Sequence, residues 1–175
     1  SRYQSFTPGS FAQSTSDLQA NIQSDLVIKF WFMPTILLAH DQTLLSWGDI
    51  SINLDQQGII TAKLANGILL SSTSSVKIHN WYSLEIKLSA SGGTTLDLQH
   101  LANSETCLGA KKEGDPVTGK GELFPLSIKA PIRIAASFRD APSCFNGKIE
   151  APEILADGKL IAKWDFSNGI SSLSV

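Results

Sequence analysis

The chain has 175 residues, of which 42% are hydrophobic and 17% charged, and its formal net charge is −2 at pH 7. This length predicts a single domain over residues 1–175, and the low charge offers no basic surface to nucleic acid or anionic lipid. No segment reaches the roughly 20 consecutive apolar residues of a membrane-spanning helix, so we expect neither nucleic acid nor a membrane among the partners.

The first part of the chain carries one helical and one strand pattern. Residues 16–26, SDLQANIQSDL, place Leu18 and Ile22 at a spacing of four, which predicts one short helical turn. The next segment, LVIKFWFMP (residues 26–34), alternates, so Trp31 lies on the face opposite Phe30 and Phe32. Trp31 is therefore the tryptophan that we expect to be exposed, and it is the candidate ligand-binding residue for a sugar. The other tryptophans are expected in the core.

Paired strands separated by turn sequences follow. Apolar alternation at residues 50–54 and 60–64 flanks the turn DQQG, and a Gly-Gly turn separates residues 84–88 from 96–98. Residues 103–125 are rich in Gly, Lys and Glu and predict a long surface loop. Alternation then resumes in PLSIKAPIRIAASF. Many short strands with frequent turns predict an all-β fold, an antiparallel two-sheet β-sandwich.

Two glutamates in FNGKIEAPEIL, Glu150 and Glu153, raise the question of sugar hydrolysis. Glycosidases aim two carboxylates at one sugar cleft. A regular strand sends residues three apart to opposite faces, and Pro152 cannot donate to a sheet ladder. Only a bulge would place the two side chains together, so we expect solvent-facing strand charges instead of a catalytic pair.

Neither the histidines nor the cysteines predict a reactive centre. The three histidines are far apart in sequence, whereas a metal site or a general base would need partners gathered around it. Cys107 and Cys144 are too few for a disulfide framework and lie in no CxxC motif.

The order of the strand segments resembles the concanavalin A-like, laminin G-like jelly roll. The segments that carry this resemblance are LVIKFWFMP, QTLLSWGD, NWYSLEIKL and GKIEAPEIL, which together span about residues 25–155. Laminin G-like modules often hold a calcium ion at one rim through Asp and Asn oxygens. The resemblance therefore implies calcium as a candidate cofactor, with Asp49, Asn53 and Asp140 as its candidate ligands.

A narrower resemblance concerns the C-terminal part. The run FNGKIEAPEILADGKLIAKWDFSNGISS is similar to the lectin-like segment of the large subunit of the N,N-dimethylformamidase family, in which a WDFS-x-GI run leads to the catalytic region. FTPGSFAQ fits the first strand of that segment. The resemblance implies that the chain is a piece of a longer polypeptide, whose amidase site, a mononuclear iron centre, lies elsewhere.

Three functions follow as expectations. The first is a non-catalytic module of a larger N,N-dimethylformamidase-like amidohydrolase, which scaffolds neighbouring domains of the parent polypeptide or other subunits. The second is a free-standing, secreted laminin G-like domain that binds carbohydrate or protein, with calcium as an option. The third, a glycoside hydrolase of the same fold, is weakened by the spacing of Glu150 and Glu153.

Overall fold

Every element in the described part of the chain is a β-strand. The computed structural model describes residues 12–13, 16–64, 69–90, 93–101, 110–112, 117–119, 124–135 and 144–164. In chain order the strands are β1 (Ala12–Gln13), β2 (Leu18–Ile22), β3 (Asp25–Pro34), β4 (Gln42–Trp47), β5 (Ile50–Leu54), β6 (Ile60–Lys63), β7 (Leu69–Ser71), β8 (Tyr82–Ser89), β9 (Gly93–Leu101), β10 (Ala110–Lys112), β11 (Val117–Gly119), β12 (Leu126–Ala130), β13 (Ile132–Ile134), β14 (Gly147–Ala156) and β15 (Lys159–Lys163).

These strands form two large antiparallel sheets and one small pair. A six-stranded sheet has the order β1-β13-β4-β5-β6-β7. A seven-stranded sheet has the order β10-β9-β8-β3-β14-β15, with β11 also paired to β9. Strands β2 and β12 pair with each other. The central strands β3 and β14 are far apart in sequence, so the seven-stranded sheet brings the two ends of the domain together.

One hydrophobic cluster joins the buried faces of the two large sheets. The apolar residues of β3 that face this cluster, from Leu26 to Phe32, are at most 2% exposed. On the opposite sheet, Trp47 is fully buried, and its indole Nε1 donates to the carbonyl of Leu18 at 3.2 Å. The predicted antiparallel two-sheet sandwich is therefore confirmed.

The predicted helical turn at residues 16–26 is wrong. Leu18–Ile22 is strand β2, which pairs antiparallel with β12 and alternates between buried and exposed side chains. The spacing of four between Leu18 and Ile22 fits a helix, but it is also even and therefore fits a strand whose period is two. Pairing with β12 decides between the two, and that partner lies about a hundred residues further along the chain.

Two strands lie within the segment predicted to be a long surface loop. Of residues 103–125, the structure describes 110–112 and 117–119 as β10 and β11, together with residues 124 and 125. Both strands pair with β9, so the loop prediction is wrong for them. Strands of three residues that pair through their backbones need no alternating apolar pattern, which explains why the sequence did not indicate them.

Candidate functional site

Trp31 lies on the outer face of the seven-stranded sheet. Its strand, β3, runs between β8 and β14, and Trp31 is opposite Ser83 on one side and Glu150 on the other. Its exposed fraction is 36%, which confirms the expectation that it faces outward. Trp47 and Trp164 are buried in the core, also as expected, and Trp81 is half-buried.

An open depression of about 370 Å³ lies beside Trp31. It crosses four strands, β14, β3, β8 and β9, and we call it the Trp31 depression. Around the indole its lining is polar, with the side chains of Lys29, Ser83, Glu85, Asp97, Gln99 and Glu153. An exposed aromatic ring next to convergent polar groups offers a ligand one surface for stacking and several groups for hydrogen bonds.

The strand register places five charged residues in one row, which begins with Lys163 on β15, opposite Glu153, and continues with four residues that line the depression. Glu153 on β14 is opposite Lys29 on β3, Lys29 is opposite Glu85 on β8, and Glu85 is opposite Asp97 on β9. Directly opposed residues of neighbouring strands point to the same face. Lys29 Nζ lies 3.5 Å from Glu153 Oε2. Glu85 and Asp97 are like charges directly opposite each other, an arrangement that destabilises a sheet.

Asp97 has one carboxylate oxygen without a partner. Its Oδ2 accepts a hydrogen bond from Gln99 Nε2 at 3.2 Å. Its Oδ1 is buried and has no hydrogen-bond donor among the described residues. A buried acceptor without a donor costs about 1–3 kcal/mol. This oxygen belongs to a residue that lines the depression, so the wall of the depression includes an acceptor without a donor among the described residues.

Glu150 and Glu153 lie on the same face of the sheet, which corrects the expectation drawn from their spacing. Glu150 is opposite Trp31 and Glu153 is opposite Lys29, and the register shifts between the two glutamates. Ala151 has a φ of 48°, the left-handed conformation of a bulged residue. The bulge also explains how Pro152 is tolerated in a central strand. Only Glu153 lines the Trp31 depression.

The two candidate calcium ligands that the structure describes, Asp49 and Asn53, do not lie together. Asp49 is exposed in the turn between β4 and β5, whereas Asn53 is buried four residues later, about 13 Å further along an extended strand. Asn53 Oδ1 accepts from Thr43 Oγ1 at 2.9 Å, and its Nδ2 donates to Ser51 Oγ at 2.7 Å. Asp140 lies outside the described residues. Calcium binding stays a prediction.

The histidines and cysteines of the described ranges form no reactive centre. Within these ranges, no group of three or more His, Cys, Asp and Glu side chains is arranged to hold a metal ion. Cys144 is buried, and burial raises the pKa of its thiol. Cys107 lies outside the described residues. Among those residues there is also no helix of the length and apolarity that a membrane crossing requires.

Sequence reasoning found Trp31 but missed the polar residues around it. Alternation alone places Lys29 on the face of Trp31. The Gly-Gly turn also contained the signal that places two further residues of the depression. A hairpin that pairs Ser89 with Gly93 fixes the register that puts Glu85 opposite Asp97. Glu153 could not be placed, since its face depends on the bulge at Ala151.

Comparison with known proteins supports the fold. No protein-family model and no curated protein matches the chain. Its structure is similar to a native heptameric SAP-like pentraxin from Limulus polyphemus, with a TM-score of 0.55 and 12% identity over 85% of this chain and 73% of that chain. It is also similar to domains LG4-5 of the mouse laminin α1 chain, with a TM-score of 0.56 and 10% identity over 96% of this chain and 44% of that chain.

A third similar structure is the LG1-3 region of the laminin α2 chain, with a TM-score of 0.53 and 11% identity over 93% of this chain and 33% of that chain. The chain thus spans less than half the length of the two laminin fragments. The comparisons give no support to the resemblance with the N,N-dimethylformamidase segment, which stays a prediction. The chain has the concanavalin A-like, laminin G-like jelly-roll fold.

Proposed function

We propose that this chain is a carbohydrate-binding module and that the Trp31 depression is its binding site. The observation that carries the proposal is the exposed indole of Trp31 at the centre of a sheet face, bordered by polar side chains from four strands. A pyranose ring offers an apolar C–H face that stacks on an indole and hydroxyl groups that bond to the polar rim. Asp97 and Gln99 are suitably placed acceptors and donors for such hydroxyls.

The composition of the depression favours a sugar over a protein partner. The cores of protein interfaces are depleted of charged residues and are mostly apolar. Here, the charged residues Lys29, Glu85, Asp97 and Glu153 line the depression beside the exposed ring of Trp31. A protein partner that buried these groups would have to supply an opposite charge for each of them, because burying an unpaired charge costs free energy. Sugar hydroxyls form hydrogen bonds with the same groups while water keeps access to the site.

We expect the chain to bind carbohydrate without hydrolysing it. The bulge gives Glu150 and Glu153 a common face, which is the arrangement that a glycosidase needs. However, Glu153 is held by Lys29, and Glu150 does not line the depression. We therefore expect bound oligosaccharides to be recovered intact after prolonged incubation with the protein, as checked by chromatography of the sugars.

A glycan array followed by titration tests the binding site. We expect the wild-type protein to bind at least one glycan class, and Trp31→Ala to weaken that binding by about tenfold or more, because it removes the stacking surface. Trp31→Phe should restore part of the affinity, since it returns an aromatic ring. Leu69→Ala is the matched control, because Leu69 is a large apolar residue that is 57% exposed on the other sheet.

Two outcomes would contradict the proposal. One is the absence of any binder on an array that covers neutral, amino, sialylated and sulfated glycans. The other is a glycan whose affinity falls equally for Trp31→Ala and Leu69→Ala, because binding would then not depend on the Trp31 depression.

The place of the module in a longer protein is a separate prediction. A scaffolding role within an N,N-dimethylformamidase-like polypeptide is supported only by the sequence resemblance of residues 145–172 and of FTPGSFAQ, residues 6–13. The complete reading frame tests it. An amidase-like region after WDFSNGI would support the scaffolding role, and a different continuation would contradict it.

A further inference from the structure

We infer that the Trp31 depression selects glycans by charge, accepting amine-bearing and neutral sugars and rejecting anionic ones. This inference rests on the proposed function, because it assumes that the ligand is a carbohydrate. The fold does not determine this charge selectivity, because the selectivity follows from the charged side chains that line the depression, namely Lys29, Glu85, Asp97 and Glu153.

The first argument is the balance of charge among the described residues that line the depression. Three carboxylates, those of Glu85, Asp97 and Glu153, share the depression with one ammonium group, that of Lys29. A carboxylate, sialyl or sulfate group that stacked beside Trp31 would come close to several like charges. An amine on the sugar would be attracted by the same groups and by the face of the indole.

The second argument is that Lys29 is already engaged. Its Nζ lies 3.5 Å from Glu153 Oε2, and its strand position also faces Glu85. Lys163 on β15 is the second cation of the row, and it is opposite Glu153. An anionic sugar that approached either lysine would compete with these carboxylates, so neither cation provides a dedicated anion site.

The third argument is the pair of carboxylates that face each other across β8 and β9. Glu85 is directly opposite Asp97, and both residues line the depression. Two neighbouring carboxylates match a hydroxyl or an ammonium donor and repel an acceptor. At neutral pH, an anionic substituent such as a carboxylate or a sulfate carries only acceptors.

Three probes with one backbone test the inference. They are hexamers of β-1,4-linked glucose, glucosamine and glucuronic acid, titrated by calorimetry at about 50 mM and about 500 mM NaCl, where screening differs strongly. We expect the glucuronate hexamer to bind at least about tenfold more weakly than the glucose hexamer at low salt, and the glucosamine hexamer to bind most tightly. The differences should shrink at high salt.

Variants locate the effect. Glu85→Gln combined with Asp97→Asn should reduce the discrimination against the glucuronate hexamer by several-fold. Asp17→Asn removes the same type of charge from an exposed position before β2, outside the depression, and should leave the discrimination unchanged. A lysine hexamer serves as a fourth probe, because the side chains of a basic protein segment carry the same ammonium group.

Each outcome decides the question. Glucuronate binding as tight as glucose binding would overturn the charge inference and leave the carbohydrate proposal intact. Binding of the lysine hexamer with no sugar binding would overturn both. If none of the three sugars binds but the array finds other glycans, neutral or amino binders support the inference and sialylated or sulfated binders overturn it. An array without binders ends the proposed function and this inference together.

Discussion

Asp157 ties two turns of the domain together through its carboxylate. It lies in the turn between β14 and β15, and its oxygens accept from the backbone N–H groups of Gln23, Ser24 and Asp25 at 2.8–3.3 Å. The Ser24 hydroxyl donates a further bond at 2.9 Å. Because these hydrogen bonds favour the charged form, they lower the pKa of Asp157 to about 2.

Asp157 therefore predicts a specific loss of stability in acid. A carboxyl group whose pKa is lower in the folded than in the unfolded chain stabilises the fold above its ordinary pKa, near 3.8, and loses that effect as the pH falls toward about 2. We expect Asp157→Asn to lower the thermal unfolding midpoint at pH 7 and to follow the wild type more closely as the pH falls from 4 to 2. Thermal unfolding at a series of pH values measures both.

Asp49→Asn is the control for this prediction, because Asp49 is an exposed aspartate in a different turn. A difference between wild type and Asp157→Asn that stays constant from pH 7 to pH 2 would contradict the account, since the stabilisation would then not depend on the charge of the carboxylate.

Trp31 and Glu153 show how much of the candidate site the sequence could predict residue by residue. The exposure of Trp31 follows from alternation within one strand, because the period of two extends through the whole of β3. The face of Glu153 does not follow, because one extra residue between Glu150 and Glu153 reverses the alternation. The sequence only indicated that a bulge would be needed.

At the scale of the element, the bulge in β14 is the feature that shapes the depression. Ala151 adopts a φ of 48°, a conformation that a residue with a Cβ atom occupies only at a cost. Ala151 also lines the depression, next to Glu153. The strained backbone and the candidate site thus coincide on one strand.

The bulge gives a prediction about stability. Replacing Ala151 with Gly removes the steric cost of positive φ, so we expect the free energy of unfolding to rise by roughly 0.5–1 kcal/mol. Ala156→Gly is the matched control on the same strand: Ala156 is buried and does not have a positive φ, so glycine should destabilise the fold there by roughly 0.5–1 kcal/mol. Urea unfolding of both variants measures the two changes, and destabilisation by Ala151→Gly would contradict the assigned conformation.

Elements differ in how well a sequence indicates them. Strands β3, β5 and β8 alternate over at least five residues and pack one face on the core, so their pattern was sufficient. Strand β2 fits two periods at once, and only its pairing with β12 makes it a strand. Strands β10 and β11 are held by backbone pairing with β9, which leaves no pattern in their side chains.

At the scale of the whole molecule, sheet topology assembles the candidate site from distant parts of the chain. The order β9-β8-β3-β14 places Asp97, Glu85, Lys29 and Glu153 side by side, although their positions span most of the domain. A single sequence shows each of these residues as an ordinary solvent-facing strand charge. The row exists only because strand β3, which comes early in the chain, inserts between β8 and β14, which comes late in the chain.

The most direct test of the account is to map the bound sugar on the protein by nuclear magnetic resonance. A titration of the isotope-labelled chain with the best glycan from the array should shift the Trp31 indole signal and the amides of the strand segments around it, which contain Lys29, Ser83, Glu85, Asp97, Gln99 and Glu153. Shifts confined to this face of the seven-stranded sheet are the predicted result. Shifts centred on the other sheet or on the turn at Asp49, with the Trp31 signal unchanged, would contradict the account.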